Sequence, residues 1–232
     1  LEFTVAGVLS QDPQIREDIE THYDIHSYTA SIIFNKEWEN AGATKNTPKG
    51  DAIRTKSKPH TFKPMYGGSS GTSAEQRYYS AFREKYKVLH QTQRSWTYEV
   101  LKTKQLKAAS GLIFYWPDTT MSASGYIKNS NSIFDYPVQS FATADIAPTG
   151  VCLLWHHMKA KGLRSFIINE VHDSVVIEED GKESEEVGNL VEYTMSKYVI
   201  EFIRKVLKVD INFPITVEQK LCGWWDYNGE PK

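Results

Sequence analysis

Apolar and polar positions along this chain follow two different periods. After the stretch Gly67-Gly68-Ser69-Ser70-Gly71, residues Tyr79, Phe82, Tyr86 and Leu89 recur at spacings of three and four, the period of a helix with one buried face. Ser73 with Gln76 three residues later predicts a capping box at its start. A second helix is expected through Trp96 to Leu106. Further on, Ser184 heads a helix whose positions Val187, Leu190, Val191, Met195, Tyr198, Val199, Phe202, Ile203, Val206 and Leu207 form one wide stripe predicted to face the core. Between these helices, Ser165–Val171 and Val175–Glu178 are rich in β-branched and aromatic residues and flank His172-Asp173-Ser174, which reads as a tight hairpin. Thr216–Lys220 reads as a further strand. The acidic run from Glu178 to Glu186 is expected to be a solvated loop and helix start, and no internal repeat or low-complexity tract is visible.

The chain of 232 residues is long enough for one large domain or two small ones, each with a core of its own. With 40% hydrophobic and 24% charged residues it has the composition of a soluble globular protein. No segment approaches the ~18 consecutive apolar residues of a membrane span, and residues Leu1–Ala6, with no basic region ahead of an apolar stretch, are not expected to be a secretory signal. Two distant cysteines, Cys152 and Cys222, without C-x-x-C spacing fit reduced thiols and an intracellular location. A net charge of -2 gives no indication of nucleic-acid binding. The pair His156-His157 has no companion at metal-ligand spacing and is read as structural.

The segment with the most chemical content runs from Arg54 to Gly67. Arg54, Lys58, Phe62 and Tyr66 recur every four residues, and four residues advance a helix by ~400°, so all four are expected on one broad face. Two cations precede two aromatics. Such a face suits a triphosphate at its basic end and a base and sugar at the other. On spacing alone the simpler reading is an amphipathic helix with snorkelling cations. Pro59 and Pro64 fall inside this stretch and predict a bend or a late start; Pro148 raises the same difficulty for the helix after Gln139.

R-x-x-x-K-x-x-x-F-x-x-x-Y-G resembles the fingers signature of family A DNA polymerases, and Arg54, Lys58, Phe62, Tyr66 and Gly67 match all its specified positions. The resemblance continues in the family's order. Leu1-Glu2-Phe3 looks like the tail of the first palm motif, Asp24-Ile25-His26 like the D-I-H segment that opens the fingers, and Tyr136-Pro137-Val138-Gln139 with Ala144-Asp145-Ile146 like the palm segment N-x-P-x-Q-G-x-x-A-D-I. Val171-His172-Asp173 looks like the V-H-D-E catalytic turn, and Trp225 like the family's C-terminal tryptophan. The resemblance implies an α+β fold: a palm of antiparallel sheet and packed helices with a helical fingers insertion. Residues 1–20 would be the truncated start of the palm, 21–120 the fingers and 121–232 the C-terminal half of the palm.

It also implies template-directed addition of deoxynucleotides to a primer 3′ end by two-metal phosphoryl transfer, with magnesium as cofactor. Asp173 would be a metal ligand and, with Lys58, catalytic. His26, Arg54 and Lys58 would contact the incoming triphosphate, Phe62 and Tyr66 the sugar and template base, and Glu2 would exclude a ribose 2′-hydroxyl. Gln139, His172 and Tyr66 would meet the primer-template. Expected partners are primer-template DNA, deoxynucleoside triphosphates and an N-terminal segment or subunit carrying the thumb and the first palm aspartate, which in the family stands five residues before the glutamate matched by Glu2.

Three departures stand out: Ser174 where most relatives have glutamate, Asp135 where asparagine is usual and Ser140 where glycine is usual. Single-subunit RNA polymerases commonly read H-D-S at the turn, but usually carry methionine at the position of Phe62 and lack the glutamate matched by Glu2. A non-catalytic DNA-binding remnant is the other alternative, opposed by the presence of Asp173, Lys58 and Arg54.

Overall fold

The computed structural model describes residues 1–220. The chain divides into two compact units: Leu1–Asp145 with Leu207–Pro214, and Ile146–Val206 with 215–220. Helices with short antiparallel strand pairs make up both, an α+β arrangement.

The first unit opens with α1 (Glu2–Ser10) and α2 (Pro13–Glu20). Asp12 caps α2, accepting from the backbone N–H groups of Gln14 and Ile15, and Pro13 occupies the first turn, where its missing N–H costs nothing. The other Asp12 carboxylate oxygen accepts from the backbone N–H of Leu89 at 2.9 Å. One buried carboxylate therefore ties together segments 77 residues apart. Asp18, also buried, accepts the Tyr86 hydroxyl at 2.6 Å and pairs with Lys85 at 3.0 Å, so its charge is compensated inside the fold.

Next come α3 (Ile25–Ile33), α4 (Asn35–Asn40) and α5 (Pro48–Thr61), packed around Ala30, Trp38, Ala41 and Ile53. Thr47 caps α5 through the Gly50 N–H, and Pro48 again takes the first turn. The helix ends at Thr61, with Phe62 as its C-cap and Pro64 beyond it. The expected four-residue face is thus divided: Arg54 and Lys58 lie on the helix, whereas Phe62 and Tyr66 lie in the turns that follow. Pro64 explains the stop, since a proline disfavours the helical conformation of the residue before it.

The capping box of α6 (Ser73–Lys85) is Thr72 with Glu75, one residue earlier than the spacing of Ser73 and Gln76 predicts. Thr72 has the extended backbone a cap needs, at φ -61° and ψ 163°. Tyr86, at φ -108° and ψ 62°, separates α6 from α7 (Lys87–Thr103). Tyr79, Phe82, Tyr86 and Leu89 are all buried as their period predicts. The second helix runs earlier than expected and stops at Lys104, whose φ of 63° turns the chain left-handed. Leu106 therefore sits in β1 (Gln105–Lys107), paired antiparallel with β2 (Ile113–Tyr115). Leu106, Trp116, Val100 and Ile133 form a core with α8 (Ser130–Ser140).

A π-turn, Phe141–Ile146, follows α8 and leads into α9 (Ala147–Lys161). It resolves the difficulty at Pro148: a wider turn relieves the clash of the proline ring with the carbonyl four residues back. In the second unit, β3 (Phe166–Val171) and β4 (Ser174–Glu178) form the predicted hairpin, with Val171 opposite Ser174 and a register break between Ile167 and Asn169. Ile167, Val175 and Ile177 pack on Leu154, Met158, Val187, Leu190 and Val191, which brings in α10 (Ser184–Glu192).

The long C-terminal stripe is interrupted by a second π-turn, Tyr193–Tyr198, before α11 (Val199–Leu207). The slip in period leaves Phe202 and Val206 exposed while Val199 and Ile203 are buried. It also brings residues five apart together. Tyr193 and Tyr198 stack at 5.6 Å with planes 8° apart, and His157 meets Tyr198 edge-on at 5.2 Å. Residues Thr216–Lys220 form no strand; Val217 instead packs against the second unit's core, and Gln219 donates to the Gly188 carbonyl at 3.0 Å. Trp225 and Cys222 lie outside the described residues.

Candidate functional site

Seven of the nine predicted site residues lie in the first unit, and His172 and Asp173 in the second. In the first unit they gather into two groups.

The first group is built where α3 packs along α5. Asp24 caps α3 through the Ser27 N–H and also receives the Arg54 Nε at 2.8 Å and Lys45 at 3.2 Å. Burial opposes ionisation of Asp24, but the hydrogen bonds from Arg54, Ser27 and Lys45 outweigh it and hold its carboxyl well below the usual range. Two residues on, the His26 Nδ1 lies 2.9 Å from the Thr61 hydroxyl, and its ring meets Phe62 edge-on at 5.6 Å. Burial, then the positive charges of Arg54 and Lys58, push the His26 pKa down against the opposing effect of Asp24, so the ring is neutral at pH 7. Lys58, one turn beyond Arg54, is exposed. Phe62 packs on Phe3 at 5.6 Å, and Phe3 meets Tyr86 at 5.4 Å.

The second group centres on Glu2. The Tyr66 hydroxyl donates to one Glu2 oxygen at 2.5 Å, and the Gln139 Nε2 lies 2.6 Å from the other and 3.2 Å from the Tyr66 oxygen. Burial, and then the hydrogen bond to Glu2, raise the Tyr66 pKa, so the phenol remains a donor. Asp135 stands one turn before Gln139 on α8, and its carboxyl is pushed up by burial and by the charge of Glu2. The turn that carries Tyr66 is fixed from two sides. Gln93 donates to the Met65 carbonyl at 2.5 Å. Gly67 has φ +81°, and a Cβ there would stand 2.6 Å from the Asn131 Oδ1 and 3.0 Å from Phe134. Only glycine meets both demands.

In the second unit, His172 and Asp173 form the two-residue tip of the β3–β4 hairpin, His172 with φ 57° and both side chains exposed. Ser174 donates its hydroxyl to the Val171 carbonyl at 2.9 Å, so the residue that replaces the usual glutamate staples the turn. Among the described residues, no hydrogen bond or ion pair engages the Asp173 carboxylate, and no three His, Cys, Asp or Glu side chains stand close enough to hold a metal ion. The His157 Nδ1 donates to the Leu153 carbonyl at 2.9 Å, and His156 packs against Trp155. Cys152 is an exposed free thiol. No helix among the described residues is long and apolar enough to cross a membrane.

Asp24 was read only as the first residue of the D-I-H segment and was given no role of its own. Its signal was present: an aspartate directly before an apolar helical period is an N-cap, and here the cap doubles as an anchor for Arg54.

The family model for DNA polymerase family A matches residues 1–226. The chain belongs to this family. A curated family relative, DNA polymerase I of Aquifex aeolicus (strain VF5), is 25% identical over 223 residues, covering 91% of this chain and 36% of that protein. Among solved structures, the POL domain of Pol1 from M. smegmatis, in complex with DNA primer-template and dNTP, shares the fold with a TM-score of 0.66. It is 23% identical and covers 84% of this chain and 35% of that one. This family A chain thus spans about a third of the length of both.

Proposed function

We propose that this chain is the fingers and C-terminal palm portion of a template-directed DNA polymerase, adding deoxynucleotides to a DNA primer. The observation that carries the reading is the meeting at Glu2 of Tyr66 and Gln139, which are 64 and 137 residues away in sequence. Three separate family motifs supply these three side chains, and one hydrogen-bonded group contains them. Residues 21–120 would be the fingers, flanked by palm segments 1–20 and 121–232. The family match favours DNA over RNA synthesis despite His172-Asp173-Ser174.

In this reading Lys58 and Arg54 neutralise the triphosphate, where charge builds on the leaving pyrophosphate. Asp24 holds Arg54 by its Nε edge, which fixes the guanidinium for that task. Neutral His26, with Nδ1 occupied by Thr61, offers its other ring nitrogen to a phosphate oxygen. Phe62 lies against the incoming sugar. Glu2, clamped by two donors, presents a fixed wall to the 2′ position, and Gln139 in the first unit and His172 in the second are each assigned a contact with primer-template DNA, whose minor-groove acceptors occur on every base pair.

Two divalent ions, magnesium by family resemblance, would stabilise the attacking and leaving oxygens. An exposed carboxylate at a rigid hairpin tip fits one of their ligands, since hard cations take oxygen donors. Asp173 would hold them together with a carboxylate from an N-terminal polymerase segment or subunit that also carries the thumb. The location would be intracellular.

The test is to purify the 232 residues, measure primer extension with magnesium and deoxynucleoside triphosphates, and then add the N-terminal polymerase segment. Extension appearing only on mixing is expected. Robust extension by this chain alone would overturn the shared metal site, and no extension by the mixture would overturn the polymerase reading.

A further inference from the structure

Charge is distributed very unevenly along the sequence. The stretch from Tyr86 to Pro117 holds five lysines or arginines (Lys87, Arg94, Lys102, Lys104 and Lys107) and a single acid, Glu99, in a chain whose net charge is -2. Most of this stretch is α7, and its outward side chains follow a pattern. Lys87, Gln91, Arg94, Tyr98 and Lys102 advance by 400°, 300°, 400° and 400° at 100° per residue, so they fall within an arc of about 80° along roughly 22 Å of helix. All five are exposed. The opposite face supplies Leu89, Gln93, Thr97 and Val100 to the interior.

The pattern continues past the helix. In the β1–β2 hairpin, Leu106 is buried, so its strand neighbours Gln105 and Lys107 face outward together with their partners Tyr115 and Ile113. Tyr98 is 54% and Tyr115 66% exposed, unusual for rings of this size. Cations at intervals with aromatic faces between them match the chemistry of an unpaired nucleic-acid strand, whose phosphates take the charges and whose open bases stack on rings. A duplex keeps its bases stacked inside and has no use for the tyrosines.

We propose that the outward stripe of α7 and the adjoining hairpin, with Arg94, Tyr98, Lys102, Lys107 and Tyr115 as its principal contacts, form a track for single-stranded DNA separate from the Glu2 and Asp24 groups. Sequence is not read there, because phosphate charge and stacking are common to every nucleotide.

The experiment measures fluorescence anisotropy of a labelled oligothymidylate of about 16 nucleotides with the whole chain, without triphosphate or metal. Binding is therefore scored independently of polymerisation. The triple variant Arg94→Gln/Lys102→Gln/Lys107→Gln is expected to bind at least about tenfold more weakly and to lower the slope of log affinity against log salt by about 2. Tyr98→Ala/Tyr115→Ala should weaken binding roughly fivefold or more. The charge-matched control Lys36→Gln/Lys49→Gln/Lys182→Gln, off the stripe, should stay within about twofold. A photo-crosslinking residue placed at position 98 should attach to the oligonucleotide. No binding by the parent chain, equal affinities for the triple variant and the control, tighter binding of a duplex of the same length, or retained binding without a crosslink at position 98 would each overturn the track.

Discussion

Glu2 takes both of its hydrogen bonds from residues far along the chain, and this makes the group sensitive to single atoms. Glu2→Ala removes the wall that faces the 2′ position in the proposed site. The ratio of ribonucleotide to deoxyribonucleotide incorporation by the assembled polymerase should rise by about tenfold or more, since each 1.4 kcal/mol of lost discrimination is tenfold; an unchanged ratio removes Glu2 from that role. Gly67→Ala tests the turn that presents Tyr66. A positive φ and an approach of 2.6 Å to Asn131 should together cost about 1–3 kcal/mol, read as a lower midpoint in urea unfolding. At this scale the motif residues were legible from the sequence because their types and spacing are set by chemistry. Their partners were not: nothing local says that Tyr66 and Gln139 will converge on residue 2, since that depends on how α1, α8 and the turn after α5 come together.

Asp24 adds an ion pair to the packing and hydrogen bonds that join α3 to α5, so Asp24→Asn should loosen the pair of elements without separating it. The Asp24 carboxyl is held below its ordinary value of 3.8, so the folded state binds fewer protons than the unfolded state just below that pH. Its contribution is complete above the unfolded value and is lost as pH falls through the folded one. The stability difference between parent and Asp24→Asn should therefore be constant near neutrality and shrink below about pH 4, measured by chemical unfolding at a series of pH values. At the start of α6, Thr72→Ala removes one half of a capping box and should cost about 1 kcal/mol; Ser73→Ala should cost less, which separates the observed cap from the one the spacing predicted. Element types were legible where a period ran unbroken, as in α6, and where β-branched runs flanked a turn, as in the β3–β4 hairpin. Boundaries were missed where a backbone conformation decides them: Lys104 turning left-handed, α5 stopping ahead of Pro64, and the π-turns that shift the period of the apolar stripe. The strand expected at Thr216–Lys220 is not formed, because a short β-prone run does not by itself supply a neighbouring strand.

At the scale of the whole molecule, the proposed polymerase reading makes Asp173 the residue whose loss should separate binding from chemistry. Asp173→Ala in the assembled enzyme should reduce extension by several orders of magnitude and leave primer-template affinity within a few-fold, because the lost ligand acts on the transition state more than on the ground state. Single-turnover extension and a binding titration on the same preparation decide it, and appreciable turnover would remove Asp173 from the metal site. The family could be read from sequence over nearly the whole chain, but the division into two units, with 207–214 returning to the first, could not, since it depends on long-range packing. The second π-turn has one further consequence. Residues five apart in an α-helix point about 140° away from each other, so the parallel rings of Tyr193 and Tyr198 exist only while the wider turn persists. Two coupled phenols held at a fixed angle form a chiral chromophore, and their exciton signature in near-ultraviolet circular dichroism gives the second unit an optical marker of its own, lost in Tyr198→Leu and lost whenever that turn relaxes to an ordinary helix.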